Sequence, residues 1–467
     1  MVSNDSLVAG LAAALGRGAA YADLADALRG LVLDGQLVVG DRIPAERQLA
    51  AALGLSRTTV TSALTMLRAE GYLHSRQGSG TTVSRPPEQL ERPGEAGPPR
   101  PVSVEIDLTV ASLPAPPHLV PATERAAARL PAMLSGPGLH PLGLPELRAA
   151  LARRLTTAGV PTRPDELLIT QGALHAWDLV LRSYLRPGEH VLVEQPSYPA
   201  ALDAVSAHHG RFSLVNVDSA GWHWPAVAPS AGIAYLIPDH HNPTGHLADE
   251  PARRELLGRL RGTLICVDEN FIDLGDLDGG GPPAVSLAAL DPDVVVAGSL
   301  SKLVWAGLRV GWVRAPRAVI TRLAVARSHQ DLATPVLEQL VALELVAELD
   351  EIAAARRPLL RTRRDHLVRL VRDAGWRVTP PRGGLFLWVD LGELSSTHLS
   401  HNALADGVRV TPGRRFSASG THDRFVRLPF SHPEPTLTRA VAALTRAAAR
   451  RPRRPRRPSG EAHRWTV

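Results

Sequence analysis

Residues 85–101 read RPPEQLERPGEAGPPRP, with six prolines, two glycines and almost nothing to bury. Proline lacks the backbone N–H that helices and sheet ladders use, and it pushes its predecessor toward extended backbone. Such a stretch neither continues a helix nor pairs in a sheet, so it reads as an extended, semi-rigid linker. The 467-residue chain is therefore expected to divide into a head (1–84), a linker (85–104), a body (105–449) and a basic tail (450–467). The tail carries Arg450, Arg451, Arg453, Arg454, Arg456 and Arg457 with no acid among them, and the whole chain has a formal net charge of +6. Everything outside that cluster sums to zero, so the high pI describes the tail and not a basic body. A segment of Arg and Pro is expected to be disordered; non-specific phosphate attraction and an idle, solvated tail are both open readings of it.

The head has helical and hairpin signals in close order. Tyr21–Leu33 carries apolar residues at Leu24, Leu28, Leu31 and Val32, a helical stripe that Asp34-Gly35 ends. Pro44 reads as a first-turn residue, with Glu46 behind it, of a short helix running through Leu53 and closed by Gly54. Ser56 is a good N-cap for a helix over Arg57–Glu70, which Gly71 ends. Two short helices around Leu53-Gly54-Leu55-Ser56 make a helix-turn-helix. Tyr72–Arg76, a Gly78-Ser79-Gly80 turn and Thr81–Val83 then read as a hairpin, a wing. In this geometry the first residues of the second helix face bases and phosphates, and Ser56, Arg57, Thr58 and Thr59 are suitable donors. The head has seven Arg and seven Asp plus Glu, so net charge alone does not argue for DNA.

The body alternates strand-like and helix-like segments. LLIT and VLVEQ flank the helical ALHAWDLVLRSYL, and IAYLIP, TLICVDE and VVVAGS follow. This alternation predicts an α/β layered domain with a mainly parallel sheet, whose functional residues lie on loops at the strands' carboxyl ends. Those loops hold Gln171-Gly172-Ala173-Leu174, Pro196-Ser197-Tyr198-Pro199, His241-Asn242-Pro243-Thr244-Gly245, Asp268, and Lys302 with Ser299 before it and Arg309 after it.

Lys302 stands out by counting. Of 52 Lys plus Arg residues, 51 are Arg. Arg serves wherever a positive charge suffices, but its guanidinium stays protonated and cannot attack a carbonyl, whereas a Lys amine can. Read one at a time the loops are ambiguous: a tight turn, a packing aromatic, a helix cap. Together they supply a Lys for an aldehyde, a carboxylate for a protonated pyridine nitrogen, an aromatic for a ring face, an amide for a phenolic oxygen, and a helix N-terminus for a phosphate. These are the groups that pyridoxal 5'-phosphate requires.

Two resemblances join these readings. The stretch GDRIPAERQLAAALGLSRTTVTSALTMLRAEGYLHSRQGSG resembles the winged helix-turn-helix of GntR-type regulators. By that resemblance Arg47, Arg57, Thr58, Thr59 and the wing near Arg76 and Gly78 would touch double-stranded DNA. The body, over roughly 105–447, resembles a fold-type-I aminotransferase, an α/β fold with a mainly parallel sheet and a smaller C-terminal α+β part. The resemblance implies that Lys302 in GSLSK bonds the cofactor and Asp268 pairs with its pyridinium. It further implies that Tyr198 stacks on the ring and Asn242 meets the phenolic oxygen. Gly172, Ala173, Leu174, Ser299 and Arg309 would hold the phosphate. Arg427 in FVRLPFS would clamp a substrate or effector carboxylate, bidentate.

Two positions depart from the family pattern. Phe271 stands where aminotransferases usually place a Tyr that binds the phenolic oxygen, and Gly138, Leu139 and His140 stand where they carry an aromatic that reaches the partner's phosphate. Both leave cofactor attachment in place and argue against efficient turnover. His208-His209 and Asp239-His240-His241 offer no convincing metal site: adjacent His on a strand point to opposite faces, and no Cys joins them. Trp222 and Trp224 read as packing. Cys266 is the lone cysteine, and the apolar stretches are short and interrupted, so neither disulfides nor a membrane helix is expected. With no signal-peptide pattern, the expected location is cytoplasmic.

The whole resembles a MocR-type transcriptional regulator, which implies a homodimer on paired half-sites. Its aminotransferase-like body would bind pyridoxal phosphate and sense an amine, an amino acid or a B6 vitamer. The alternatives are an active aminotransferase with an appended DNA-binding domain, and a regulator whose body has lost the cofactor and only dimerises.

Overall fold

The computed structural model describes residues 11, 21–33, 37, 42–76, 80–84, 104–218, 220–224, 231–279 and 285–450. The expected stop at Asp34-Gly35, most of the linker, the wing tip at Gly78 and the Arg tail from Arg451 onward lie outside these residues, as does the side chain of Arg76.

In the head, α1 (Tyr21–Leu33) is followed by β1 (Arg42–Ile43), α2 (Glu46–Leu53), α3 (Arg57–Ala69), β2 (Leu73–Arg76) and β3 (Gly80–Val83). Gly54 closes α2 with φ +64°, a left-handed conformation that glycine adopts without a Cβ penalty. Ser56 caps α3 as its spacing predicts, its Oγ accepting from the Thr59 amide at 3.0 Å. The strands form a three-stranded antiparallel sheet in the order β1-β3-β2. β1 escaped the sequence reading because two residues carry no alternation to detect. Pro44 is corrected as well: α2 starts at Glu46 after an extended Ala45 N-cap, so Pro44 lies before the first turn. Leu24, Leu28, Leu49, Val60, Leu64, Leu67, Leu73 and Val83 close one small core.

In the body, β4 (Ile106–Asp107), α4 (Leu119–Arg129) and α5 (Pro145–Thr157) precede the main alternation. That alternation runs β5 (Leu167–Thr170), α6 (Ala173–Tyr184), β6 (His190–Gln195), α7 (Pro199–Ala207), β7 (Arg211–Asp218), β8 (Gly221–His223), β9 (Ile233–Leu236), α8 (Glu250–Arg259), β10 (Leu264–Asp268), α9 (Leu287–Leu290), β11 (Val295–Ser299) and β12 (Gly311–Arg314). Helices α10 (Arg317–Arg327), α11 (Val336–Val346) and α12 (Leu349–Asp373) lead to a smaller part. That part contains β13 (Arg377–Val378), β14 (Phe386–Asp390), α13 (Ser396–Leu404), β15 (Val408–Arg409), β16 (Thr411–Pro412), β17 (Phe425–Pro429) and α14 (Glu434–Ala449).

Eight strands form the large sheet in the order β5-β12-β11-β10-β9-β6-β7-β8. β6, β7, β9, β10 and β11 pair parallel, while β12 and β8 run against their neighbours. The two faces separate by the period of two. Val191, Val193, Tyr235, Cys266, Val295 and Ala297 pack under α6 and α7. Leu192, Leu236, Val267 and Val296 pack on the other side with Leu256 and Leu287. The smaller part is an antiparallel sheet, β13-β14-β17-β16, against α12 and α14. The segment entering the body is built into the seam: β4 pairs parallel with β15, and Ile106, Leu108, Ala111 and Leu113 join the core shared by both parts. Among the described residues no helix is long and apolar enough to cross a membrane.

Candidate cofactor site and nucleic-acid surface

The five expected loops converge at the carboxyl ends of β5, β6, β9, β10 and β11. At β5 the chain turns through Gly172, with φ +111°, into the free amides of α6. A Cβ there would lie 3.1 Å from the Arg309 guanidinium, and one on Gly311 would lie 2.6 Å from Gly172 Cα. The backbones thus approach as closely as glycine allows. Arg309 lies over this turn, one Nη donating to the Gln171 carbonyl and the other to Ser301 Oγ at 3.4 Å. Ser301 Oγ in turn accepts from Ser299 Oγ at 2.9 Å, and the Ser301 amide donates back to Ser299 at 3.1 Å. A helix N-terminus, a guanidinium and two hydroxyls around glycine backbone form an anion cradle. Leu174 is exposed, so it can serve this cradle only through its amide.

Lys302 follows β11. Its Nζ donates to the Ala111 carbonyl at 2.9 Å and lies 5.9 Å from the centre of the Phe271 ring. Burial, with Arg427 and Arg309 nearby and against the pull of Asp268, lowers its pKa to about 8. Asp268 ends β10 and is buried. Its Oδ2 accepts from the Tyr235 hydroxyl at 2.8 Å and its Oδ1 from the Asn270 amide at 3.0 Å. Burial raises its pKa, opposed by these bonds and by Lys302. Tyr198 stands before α7, half-buried, with its phenol pKa raised by burial and by Asp268.

Arg427, on β17, crosses from the smaller part. One Nη donates to Asn242 Oδ1 at 3.3 Å and the other to the Thr109 carbonyl, while Nε has no hydrogen-bond partner among the described residues. The guanidinium lies 5.0 Å from the Phe416 ring centre and 5.5 Å from that of Phe386. Burial lowers its pKa to about 10, and neutral acceptors meet both of its Nη groups.

These residues fit pyridoxal phosphate. A weakly basic amine, a buried carboxylate and an anion cradle lie close enough to act on one another, beside an incompletely satisfied guanidinium. The sequence reading missed Tyr235, hidden inside an apolar strand; Ser301, one residue from the Lys; and the carbonyls of Thr109 and Ala111, which no side chain announces. Phe271 packs edge-on against Phe386, with ring centres 5.3 Å apart, and has no hydroxyl to offer.

Of the two histidine clusters, His208 and His241 are bonded elsewhere, while both ring nitrogens of His240 are buried with no hydrogen-bond partner among the described residues. His208 and His209 do not lie on a strand, as the opposite-face argument assumed. His208 closes α7 and bonds Asp178 at 2.7 Å, while His209 is left-handed at φ +59°. His241 bonds Thr244 at 2.9 Å and approaches Glu194 at 3.2 Å. Among the described residues no group of three or more His, Cys, Asp or Glu could hold a metal ion. Trp222 packs beside the Leu192 face of the sheet and donates to Glu194 at 2.8 Å.

In the head, Arg47, Arg57 and Thr58 are exposed at the starts of α2 and α3. Ser56 and Thr59 bond each other at 2.8 Å, so the cap occupies part of their hydrogen-bonding capacity. Arg68 is held by Glu46 at 3.1 Å and by Ser75 at 2.8 Å, which ties α3 to α2 and to the wing.

Residues 113–444 match the family described as aminotransferase class I and II, and residues 20–83 match the bacterial regulatory proteins of the gntR family. The chain is 30% identical over 439 residues to the HTH-type transcriptional regulator YisV of Bacillus subtilis, covering 86% of this chain and 90% of that one. It is 28% identical over 324 residues to the probable rhizopine catabolism regulatory protein MocR of Rhizobium meliloti, covering 63% and 65%. Among solved structures, the α-aminoadipate aminotransferase LysN of Thermus thermophilus, complexed with N-(5'-phosphopyridoxyl)-L-leucine, superposes with a TM-score of 0.65 at 30% identity, covering 73% of this chain and 92% of that one.

Proposed function

The chain belongs to the aminotransferase class I and II family and, through its gntR-type head, to the MocR-type transcriptional regulators; from that premise we propose that it binds operator DNA through the head and reads a small amine or amino acid through a body that holds pyridoxal phosphate. The observation that carries this reading is Lys302, the one primary side-chain amine in the sequence, held within reach of Asp268, Arg309 and Arg427.

Bound there, pyridoxal phosphate supplies an aldehyde that captures amines and a ring that draws electrons from what it captures. The chain's own residues do the rest. Lys302, with its lowered pKa, keeps a larger unprotonated fraction near neutral pH than an ordinary lysine would. Asp268 holds a proton-bearing ring nitrogen. Tyr198 covers the ring, Asn242 orients its phenolic oxygen, and Gly172, Ala173, Leu174, Ser299 and Arg309 hold the phosphate. Arg427 selects for a carboxylate.

The route to the head starts at the same residues. Thr109 and Ala111 bond Arg427 and Lys302 through their carbonyls, and they lie a few residues beyond the linker. A ligand that engages either cation exchanges those bonds. It thereby biases the segment on which the linker ends, which is the differential contact that allostery requires. In this reading the unit boundaries are the sequence's own: head to 84, linker to 104, body to 449. Pairing of two bodies is proposed from the MocR-type family alone. Phe271, without a hydroxyl, supports sensing over rapid turnover.

The test is a visible spectrum of the loaded protein together with operator affinity, each measured with and without candidate amino acids. A spectral change and an affinity change at the same amino acid concentration are expected. Robust multiple turnover with amino and 2-oxo acids would favour the enzyme reading, and a protein left colourless by pyridoxal phosphate would overturn the proposal.

A further inference from the structure

Tyr235 lies on β9, in register with Cys266 on the parallel neighbour β10, two residues before Asp268. The period of two places Tyr235, Cys266 and Asp268 on one face of the sheet. From there the phenol reaches along the strand to Asp268 Oδ2 at 2.8 Å. Tyr235 is 2% exposed. Its ring rests on Trp177, centres 4.9 Å apart, and Trp177 is itself held by a bond from its Nε1 to the Ala201 carbonyl at 3.2 Å. The donor is therefore a rigid phenol whose hydroxyl has one described acceptor, a carboxylate oxygen.

We propose that Tyr235 is a positioning residue for the cofactor, acting through Asp268: it fixes the carboxylate's rotamer and keeps it ionised, so that Asp268 can hold a protonated ring nitrogen. The inference rests on the cofactor reading above. A buried carboxylate without donors takes up a proton and ceases to be an anion, and a donated hydrogen bond resists that. The Asn270 backbone amide serves Oδ1, and the Asn270 side chain adds a second contribution that favours the ionised form. Tyr235 serves Oδ2, and only a side chain with a hydroxyl at that position can. The titratable groups facing Asp268 are Tyr235, Lys302, Tyr198 and Cys266. Of these, Lys302 also favours the ionised form, and Tyr235 is the one that makes a direct bond to it.

The experiment uses full-length protein and pyridoxal phosphate itself. Cofactor affinity is measured by visible absorbance across pH for wild type and Tyr235→Phe, with thermal melting alongside. Phe retains the ring against Trp177 and removes only the hydroxyl. A hydrogen bond to a charged group is worth enough that affinity is expected to weaken roughly tenfold or more at neutral pH. The acid limb of the affinity profile is expected to move to higher pH, because Asp268 protonates more readily. A lower melting temperature with an unmoved acid limb would reduce Tyr235 to a packing residue and overturn the proposal; so would unchanged affinity. Should the Phe variant not fold, Trp177→Phe loosens the phenol's seat and is expected to move the acid limb the same way by less; no movement there overturns the proposal equally. Failure of wild type to retain the cofactor at any pH would instead sink the cofactor reading on which this rests.

Discussion

The head and the body place their chemistry at opposite extremes of burial. On the head, Arg47, Arg57 and Thr58 stand in water at two helix starts, and what holds them is a short helix-turn-helix with its own small core. In the body, Asp268 and Arg427 are buried and Lys302 is half-buried, each with a pKa moved by its surroundings. An exposed charge acts through counterion release and direct contact, and its neighbours matter little. A buried one acts only as its neighbours permit, so losing one group changes the others.

That contrast is sharpest at Lys302. Lys302→Ala is expected to abolish covalent retention of pyridoxal phosphate, read as cofactor fixed by borohydride, with the fold intact. The head's own DNA surface does not include this amine, so a change in operator affinity measured without cofactor would come through the lost bond to the Ala111 carbonyl. Undiminished fixed cofactor would remove Lys302 from its role. Unchanged cofactor-free DNA affinity would take the Lys302–Ala111 bond out of the route to the head.

Arg57→Ala is the matching change on the exposed side. If the guanidinium reads a base, operator binding should weaken by about 1–3 kcal/mol. The visible spectrum of the loaded body should stay as it was. Unchanged binding in a salt-controlled assay would take Arg57 out of the interface.

The same contrast explains what the sequence made legible. In the head, capping residues and periodic leucines are local signals, and the roles of Ser56 and Gly54 and the presence of α1 follow from them directly. The two-residue β1 and the start of α2 do not, because a short edge strand and an extended Ala45 depend on what packs nearby. In the body, each loop residue at a strand end could be read from chain order, since a parallel sheet brings successive carboxyl ends together. Tyr235 could not: in IAYLIP it looks like one more core residue, and only the register against Cys266 turns its hydroxyl toward Asp268. Nor could Thr109 and Ala111, whose part is played by carbonyls that every residue carries.

A smaller effect separates folding from recognition within the head. Ser56 Oγ caps α3, so Ser56→Ala should cost about 1 kcal/mol of head stability. Its hydroxyl is already bonded to Thr59, so at a temperature where the head remains folded operator affinity should fall less than in Arg57→Ala. A loss as large as that of Arg57→Ala, with melting unchanged, would make Ser56 a contact and not a cap.

The smallest expected effect uses pH to set the buried body apart. No tryptophan lies in residues 1–84 and seven of the eight lie in 105–449, with Trp465 in the tail, so a transition in intrinsic Trp fluorescence follows chiefly the body. Burial pushes His240 and His422 down to about 4. Unfolded, they take protons near 6.5, so below that pH the unfolded chain binds more protons and stability falls as pH drops toward 4. Burial, with Asp239 close by, pushes Glu269 up to about 8. Unfolded, Glu269 is ionised above its ordinary value of 4.5, so it removes stability as pH rises toward 8 and none further beyond it. Between 4.5 and 6.5 the two histidines oppose Glu269, and above 6.5 the histidines no longer contribute while Glu269 still does. The melting temperature read by Trp fluorescence should therefore peak near pH 6.5. Glu269 accepts from Ser286 Oγ at 2.7 Å and from the Leu287 amide at 3.2 Å through one oxygen, which a glutamine carbonyl can replace. Glu269→Gln should flatten the alkaline side of the peak and leave the acid side in place. An alkaline limb that stays as steep in the variant would assign it to another group.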